Sequence, residues 1–301
     1  MALEHWIIAP GQSKVIDIEL VRSLKVSLIG GKVDVIAHDE PGARVEVAGV
    51  TGKDLKVEID GDRLIVDHPQ LRWENWLDVF RGFRGNAKAE VSILAPRHVL
   101  LKLGMVSGDA LVSGFVGDAK LSTVSGELTV DRHVGDLELN GVSGELSAGN
   151  HVGGVNANTV SGDVIASGDL TKFTADGVSG NMIVDSVGTP RRIDTNTVSG
   201  DLTVRYTGGD GARVRVNSVS GTVLLEDASV RSIFGKGFER IIGTLDGDWL
   251  DLNANSVSGD ISVIRREPRV DAASTATPGA SASGAPTAST PEASTTAGAD
   301  A

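Results

Sequence analysis

The string Val-Ser-Gly occurs eight times in the chain, starting at Val106, Val124, Val142, Val160, Val178, Val198, Val219 and Val257. The spacings are 18, 18, 18, 18, 20, 21 and 38 residues. A period near 20 residues marks stacked supersecondary units, each burying against the next the surface it cannot bury alone. The last interval is about twice 19, so one degenerate repeat is expected between Val219 and Val257.

Counted from each valine as zero, apolar residues recur at +4 and +6, as in Leu128 and Val130, Leu146 and Ala148, Val164 and Ala166. They recur again at +13 and +15, as in Leu137 and Leu139, Val155 and Ala157, Phe173 and Ala175. Alternation at period two predicts short strands with one face inward. Two such strands per period give each coil two sides. A three-sided helix built on hexapeptides would also need apolar residues at +12, where Asp118, Asp136, Gly154 and Lys172 stand. The expected fold is therefore all-β: a single-stranded parallel β-solenoid with two short strands per coil of 18–20 residues and about nine coils. Glycine at +2 can turn the corner with positive φ, and the valine at zero is expected to point into the core. Asparagine stands at −2 in five of the eight coils (Asn140, Asn158, Asn196, Asn217 and Asn255), which predicts a hydrogen-bonded ladder along the stack.

The repeats set the expected boundaries: solenoid over 101–269, an irregular β cap over 1–100, and a tail over 270–301. Strands are expected around Val15–Leu20, Val33–Ile36, Val45–Val47 and Leu64–Val66, none carrying Val-Ser-Gly. A capping role follows because a bare solenoid end is an open sheet edge. The tail from Asp271 holds only Ala, Ser, Thr, Pro, Gly and acids, a composition that predicts disorder. Within the cap, Trp73, Trp76, Leu77 and Phe80 fall on one face of a short helix, with Phe83 and the basic Arg72, Arg81 and Arg84 beside them. This segment either plugs the end of the stack or docks a partner, with Trp73, Trp76, Phe80, Phe83, Arg81 and Arg84 as the candidate partner-binding residues.

A net charge of −12 repels phosphate backbones, so nucleic acid is excluded as a partner. No apolar run reaches the roughly 18 residues of a membrane helix. The N-terminus lacks a basic start and an apolar run of secretory length, so a cytoplasmic location is expected, with the cell surface as the alternative. There are no cysteines, which excludes disulfides and thiolate metal sites.

The Val-Ser-Gly-Asp/Glu coils, preceded by Ala89-Glu-Val-Ser-Ile-Leu-Ala-Pro96, resemble a bacterial β-strand-repeat family that carries the label "putative adhesin" (domain of unknown function family 4097). The resemblance covers roughly residues 15–265. It implies a right-handed β-solenoid without established catalytic residues. Some members of that family are exported or membrane-anchored, which is why the cell surface stands as the alternative location.

Two columns are candidates for chemistry. The position after Val-Ser-Gly is acidic in six coils, at Asp109, Glu127, Glu145, Asp163, Asp201 and Asp260. Stacked carboxylates repel by about 1 kcal/mol or less per pair in water, and a divalent cation such as Ca²⁺ would relieve that. A solvated stripe that caps corner amides needs no cation and no cofactor. At +9 stand Phe115, His133, His151 and Asp169, of which His133, His151 and Asp169 could share a metal ion. Apolar neighbours at +10 (Val116, Val134, Val152 and Leu170) make an outward-facing +9 ladder the expectation. Acidic residues that repeat rather than converge give no catalytic pair, so an enzyme is not expected. A non-enzymatic recognition module for a protein or glycan comes first, a self-assembling cytoplasmic scaffold second, and a polysaccharide-active enzyme a distant third. Capping over 14–96 at one end, and Arg265, Arg266 and Arg269 at the other, argue against free end-to-end growth.

Overall fold

Alternating apolar residues in runs of five to nine, separated by glycine corners, leave the backbone little choice but strands laid side by side. The computed structural model describes residues 3–69, 87–225, 228–231 and 237–266, and these form 22 strands and no helix. The fold is all-β. The expected disordered tail and the aromatic segment 71–84 lie outside the described residues.

The strands line up on two faces. On the first face the order is β1 (Glu4–Ile8), β5 (Leu55–Asp60), β6 (Arg63–Asp67), the first half of β3 (Ser23–His38) and the first half of β8 (Leu100–Ser113). It continues through β9 (Ala119–Ser125), β11 (Leu137–Gly141), the second halves of β12 (Glu145–Ser161) and β13 (Val164–Ser179), and β15 (Arg192–Ser199). It ends with β21 (Trp249–Ser258), β17 (Gly211–Ser220) and β20 (Phe238–Gly243).

The second face runs β2 (Lys14–Ile18), β4 (Ala43–Thr51), β7 (Lys88–Pro96), the second halves of β3 and β8, and β10 (Glu127–Asp131). Then come the first halves of β12 and β13, β14 (Met182–Ser186), β16 (Leu202–Thr207), β22 (Ile261–Arg266), β18 (Thr222–Leu225) and β19 (Ala228–Arg231). From β3 to the last Val-Ser-Gly strand every pairing is parallel. Leu128 sits beside Leu146, Leu146 beside Val164, and Val164 beside Met182.

The inward residues at +4, +6, +13 and +15 meet between the faces. Leu128, Val130, Leu139, Ala148, Ala157, Phe173 and Ala175 are fully buried. Each buried Leu, Val or Phe contributes about 1.5–3 kcal/mol relative to leaving it in water.

Two expectations need correction. The N-terminal region is not wholly outside the repeat register, because Ile29-Gly30-Gly31 in β3 stands where Val-Ser-Gly stands in β8. Gly30 lies opposite Ser107, and Gly31 opposite Gly108. Around β3 the pairing then turns antiparallel through β4, β5, β1 and β2. Nor does a degenerate repeat lie between Val219 and Val257, whose strands are immediate neighbours: β21 pairs with β15 on one side and with β17 on the other. The last repeat in the chain is thus inserted between the two before it. The intervening residues supply β19 and β20, which run antiparallel against the outer edges of β18 and β17. Arg265 and Arg266 consequently belong to an interior strand, β22, and not to an end, while Arg269 lies outside the described residues.

Candidate functional site

Every repeat turns the same corner, and each corner residue has a separate job. Glycine at +2 is the closest approach between neighbours. A Cβ on Gly126 would lie 2.0 Å from the carbonyl oxygen of Gly108, and φ there is +108°. The column runs Gly31, Gly108, Gly126, Gly144, Gly162, Gly180, Gly200, Gly259 and Gly221, the last two in the inserted order. The serine before it ties one corner to the last: Ser125 Oγ donates to Val106 O at 3.2 Å, and Ser143 Oγ to Val124 O at 3.1 Å. The acid after it accepts from the next corner's amide. Asp163 Oδ1 takes the N–H of Asn181 at 2.7 Å, Asp201 Oδ1 that of Asp260 at 2.8 Å, and Asp260 Oδ1 that of Thr222 at 2.7 Å. Asp109 Oδ1 does the same for Glu127 at 3.2 Å, while Glu127 itself accepts from the Thr129 hydroxyl at 2.8 Å. Asp109, Glu127, Glu145, Asp163, Asp201 and Asp260 therefore form a solvent-facing column in which the shorter aspartates hold backbone amides.

Two residues before the valine, the amide ladder is in place. Asn158 Nδ2 donates to Asn140 Oδ1 at 3.0 Å, Asn196 to Asp176 at 2.7 Å, Asn255 to Asn196 at 2.8 Å and Asn217 to Asn255 at 2.8 Å. Asp176 takes the asparagine position in its own repeat.

The valines themselves do not point into the core, contrary to expectation. Val160, Val178, Val198, Val219 and Val257 are each about half exposed, from 48% to 57%. The residue at −1 (Thr123, Thr159, Ser218, Ser256) is the buried one, so the valine, one step on, must face outward. Valines on one side, the amide ladder on the other and small residues between them make a groove along the stack. One stretch encloses about 730 Å³ from Lys120 and Ser122 to Val178, and another about 460 Å³ between Asp176 and Val257.

The histidine column also departs from expectation. At +8 the backbone is left-handed, with φ of +82° at Gly114, +52° at Arg132 and +51° at Asn150. That extra turn inverts the inside–outside alternation. The +9 side chains go inward and the +10 valines outward: Phe115, His133 and His151 are buried, whereas Val134 and Val152 are 40% and 42% exposed. The two imidazoles stack with ring centres 5.2 Å apart, and their Nδ1 atoms are 3.3 Å apart. His151 Nε2 lies 3.2 Å from Gly154 O and must donate there. Its Nδ1 is then the acceptor for the Nδ1–H of His133, and both rings are neutral. Burial holds His133 down to about pKa 4, helped by its neighbour His151, and burial likewise lowers His151. His68, buried beside the Ile29 amide that its Nδ1 accepts, is also lowered to about 4 by burial. Asp169 does not join the pair. The register shifts between Ala148 and His151, so Asp169 stands opposite Val152 on the exposed side, and Leu170 fills the interior. Among the described residues no three of these side-chain types gather as a metal site.

A family model, Toastrack DUF4097, matches residues 21–298. The chain belongs to that family. No curated protein matches this Toastrack chain. Solved structures that it resembles include a "putative adhesin" from Bacteroides fragilis, 14% identical, with a TM-score of 0.41 over 85% of this chain and 100% of that one. Another is a "putative lipid binding protein" from Parabacteroides distasonis, 12% identical, with a TM-score of 0.42 over 86% and 98%. A third is a "putative cell adhesion protein" from Clostridium sporogenes, 14% identical, with a TM-score of 0.27 over 88% and 99%.

The candidate partner-binding residues Trp73, Trp76, Phe80, Arg81, Phe83 and Arg84 lie outside the described residues. Among the described residues no helix is long and apolar enough to cross a membrane. Sequence reasoning missed the valine groove and the buried imidazoles. Phe115 at the head of the +9 column was the available signal, since a phenylalanine stacked under two histidines marks an inward position.

Proposed function

We propose that this Toastrack chain is a two-sided parallel β-solenoid of nine coils that acts as a non-enzymatic recognition module, holding an extended glycan along the valine–asparagine groove. The observation that carries this reading is a surface of repeated valine methyls and amide groups at strand spacing, about 4.8 Å. An extended sugar chain offers matching chemistry: hydroxyls for the amides and apolar C–H faces for the methyls. A glycan microarray tests it with the intact chain and with Val160→Ser, Val178→Ser and Val198→Ser combined, all at half-exposed positions. Retention by the former and loss in the latter, at an unchanged fold, is the expected result. A wild-type chain that retains no glycan, or a variant that retains it equally, overturns the reading.

The cytoplasmic expectation has no support in the fold or the family, and a glycan-binding role favours the cell surface. Protease treatment of intact cells, followed by immunoblotting, should digest the protein from outside; complete protection would return it to the cytoplasm and favour a scaffold role.

A further inference from the structure

The groove changes character where it reaches β8 and β3. Lys25, Lys102 and Lys120 stand opposite one another on β3, β8 and β9. They face outward, since their neighbours Leu24, Val26, Leu101, Leu103, Ala119 and Leu121 are all buried. Two positions along, Ser27, Gly104 and Ser122 form a second row in the same register. These two rows line a basin of about 250 Å³, which shares Lys120 and Ser122 with the groove and has no acidic side chain in its lining.

Like charges directly opposite on adjacent strands are unfavourable, and a chain of net charge −12 has acids to spare for pairing. Elsewhere the chain does pair them: Arg215 meets Asp251 at 2.8 Å, and Arg44 meets Asp17 at 2.7 Å. Here only Lys120 has an ion-pair partner, Glu138 at 2.6 Å. Among the described residues Lys25 and Lys102 form no ion pair, although Lys25 acts at longer range on the Asp67 carboxyl. Gly104, between two serines, removes the side chain that would otherwise fill the middle of the row. The ammonium groups of Lys25 and Lys102 offer three donors each, Lys120 keeps those that it does not give to Glu138, and two hydroxyls stand beside them around a hollow.

We propose that this basin binds a tetrahedral oxyanion, the phosphate or sulfate monoester of a sugar, at one end of the groove. The choice of a sugar as carrier rests on the glycan reading above; the anion site itself does not. A carboxylate, with two oxygens in one plane against the three terminal oxygens of either ester, engages fewer of the donors.

The test is an NMR titration of the ¹⁵N-labelled full chain, at constant ionic strength balanced with chloride. The probes are inorganic phosphate, sulfate, glucose 6-phosphate, glucose 6-sulfate and glucuronate. Saturable shifts confined to the amides of Ser27, Gly104 and Ser122 and their neighbours are expected, weakened at least ten-fold in Lys102→Gln. Lys102 is exposed, so that variant should keep the remaining spectrum unchanged. Shifts scattered over the surface, no saturation by any oxyanion, or an unaltered titration in Lys102→Gln would overturn the site while leaving the groove untouched. Glucuronate binding as tightly as the esters would overturn the tetrahedral assignment. Saturation by inorganic phosphate without binding of either sugar ester would overturn the sugar as carrier.

Discussion

Taking the folded chain from about pH 7.5 to about pH 5 leaves most carboxylates ionised but crosses the range in which free imidazoles become charged. In the unfolded chain His133 titrates near 6.5, whereas in the fold burial and its partner hold it near 4. As pH falls the unfolded state therefore takes up the proton first. The stability is whole above about 6.5 and drains away toward 4. At 1.36 kcal/mol per pKa unit, the loss is about 2 kcal/mol by pH 5 and about 3 kcal/mol below pH 4. His68, also held near 4, adds a similar amount, and His151 acts in the same direction. Asp67, whose carboxyl burial pushes up, works in the opposite sense. Urea unfolding at the two pH values measures the sum, with about 4 kcal/mol expected from His133 and His68 together. The variant His133→Leu with His151→Leu isolates the stacked pair. Leucine suits a column that already holds Phe115 and Leu170, and changing both rings avoids leaving a bare Nδ1. The double variant should lose only the His68 share, about 2 kcal/mol, between the same pH values. If variant and wild type lose equal stability, the imidazoles are not buried as described, and the reasoning fails.

Four further outcomes follow from the corner and the ladder beside it. Gly126→Ala places a Cβ 2.0 Å from a backbone oxygen at φ +108°, and should cost at least about 3 kcal/mol in urea unfolding. Asn255→Ala removes a link between Asn196 and Asn217 and should cost about 1–2 kcal/mol by the same measurement. Asp201→Asn keeps the acceptor for the Asp260 amide and should be near neutral, whereas Asp201→Ala should lose about 1 kcal/mol. Because the aspartates of that column are already engaged with amides, millimolar CaCl₂ should leave the melting temperature unchanged; a rise that vanishes in Asp201→Asn would show a cation site.

The all-β fold and the asparagine ladder were legible because an 18-residue period puts identical residues in contact, and contact is what hydrogen bonds require. The β3 corner was not, since Ile29-Gly30-Gly31 keeps only the glycine that sterics demand and changes the residues that chemistry merely prefers. The direction of the valines and histidines escaped for a different reason. Period-two reasoning holds along a strand but fails at a left-handed residue; asparagine tolerates positive φ, so Asn150 was a faint sign of one, while Arg132 gives none. The insertion of β21 and β22 escaped because repeats with the same surface are interchangeable as neighbours. Spacing along the chain cannot tell which of them stack.

That interchangeability has a consequence during synthesis. Most of the stack can form as the chain leaves the ribosome, each repeat closing on the one just made. The repeat at 211–225 has no such option, because its native neighbour, 249–266, has yet to be made. Until then Asn217, Ser220 and Gly221 find in Asn196, Ser199 and Gly200 a partner nearly indistinguishable from Asn255, Ser258 and Gly259. The nascent chain must either wait with an open edge or close early and reopen. A chain ended at residue 248 should therefore hold a misordered but well-bonded stack, and the full chain should refold with a slow phase as the last repeat displaces the one before it.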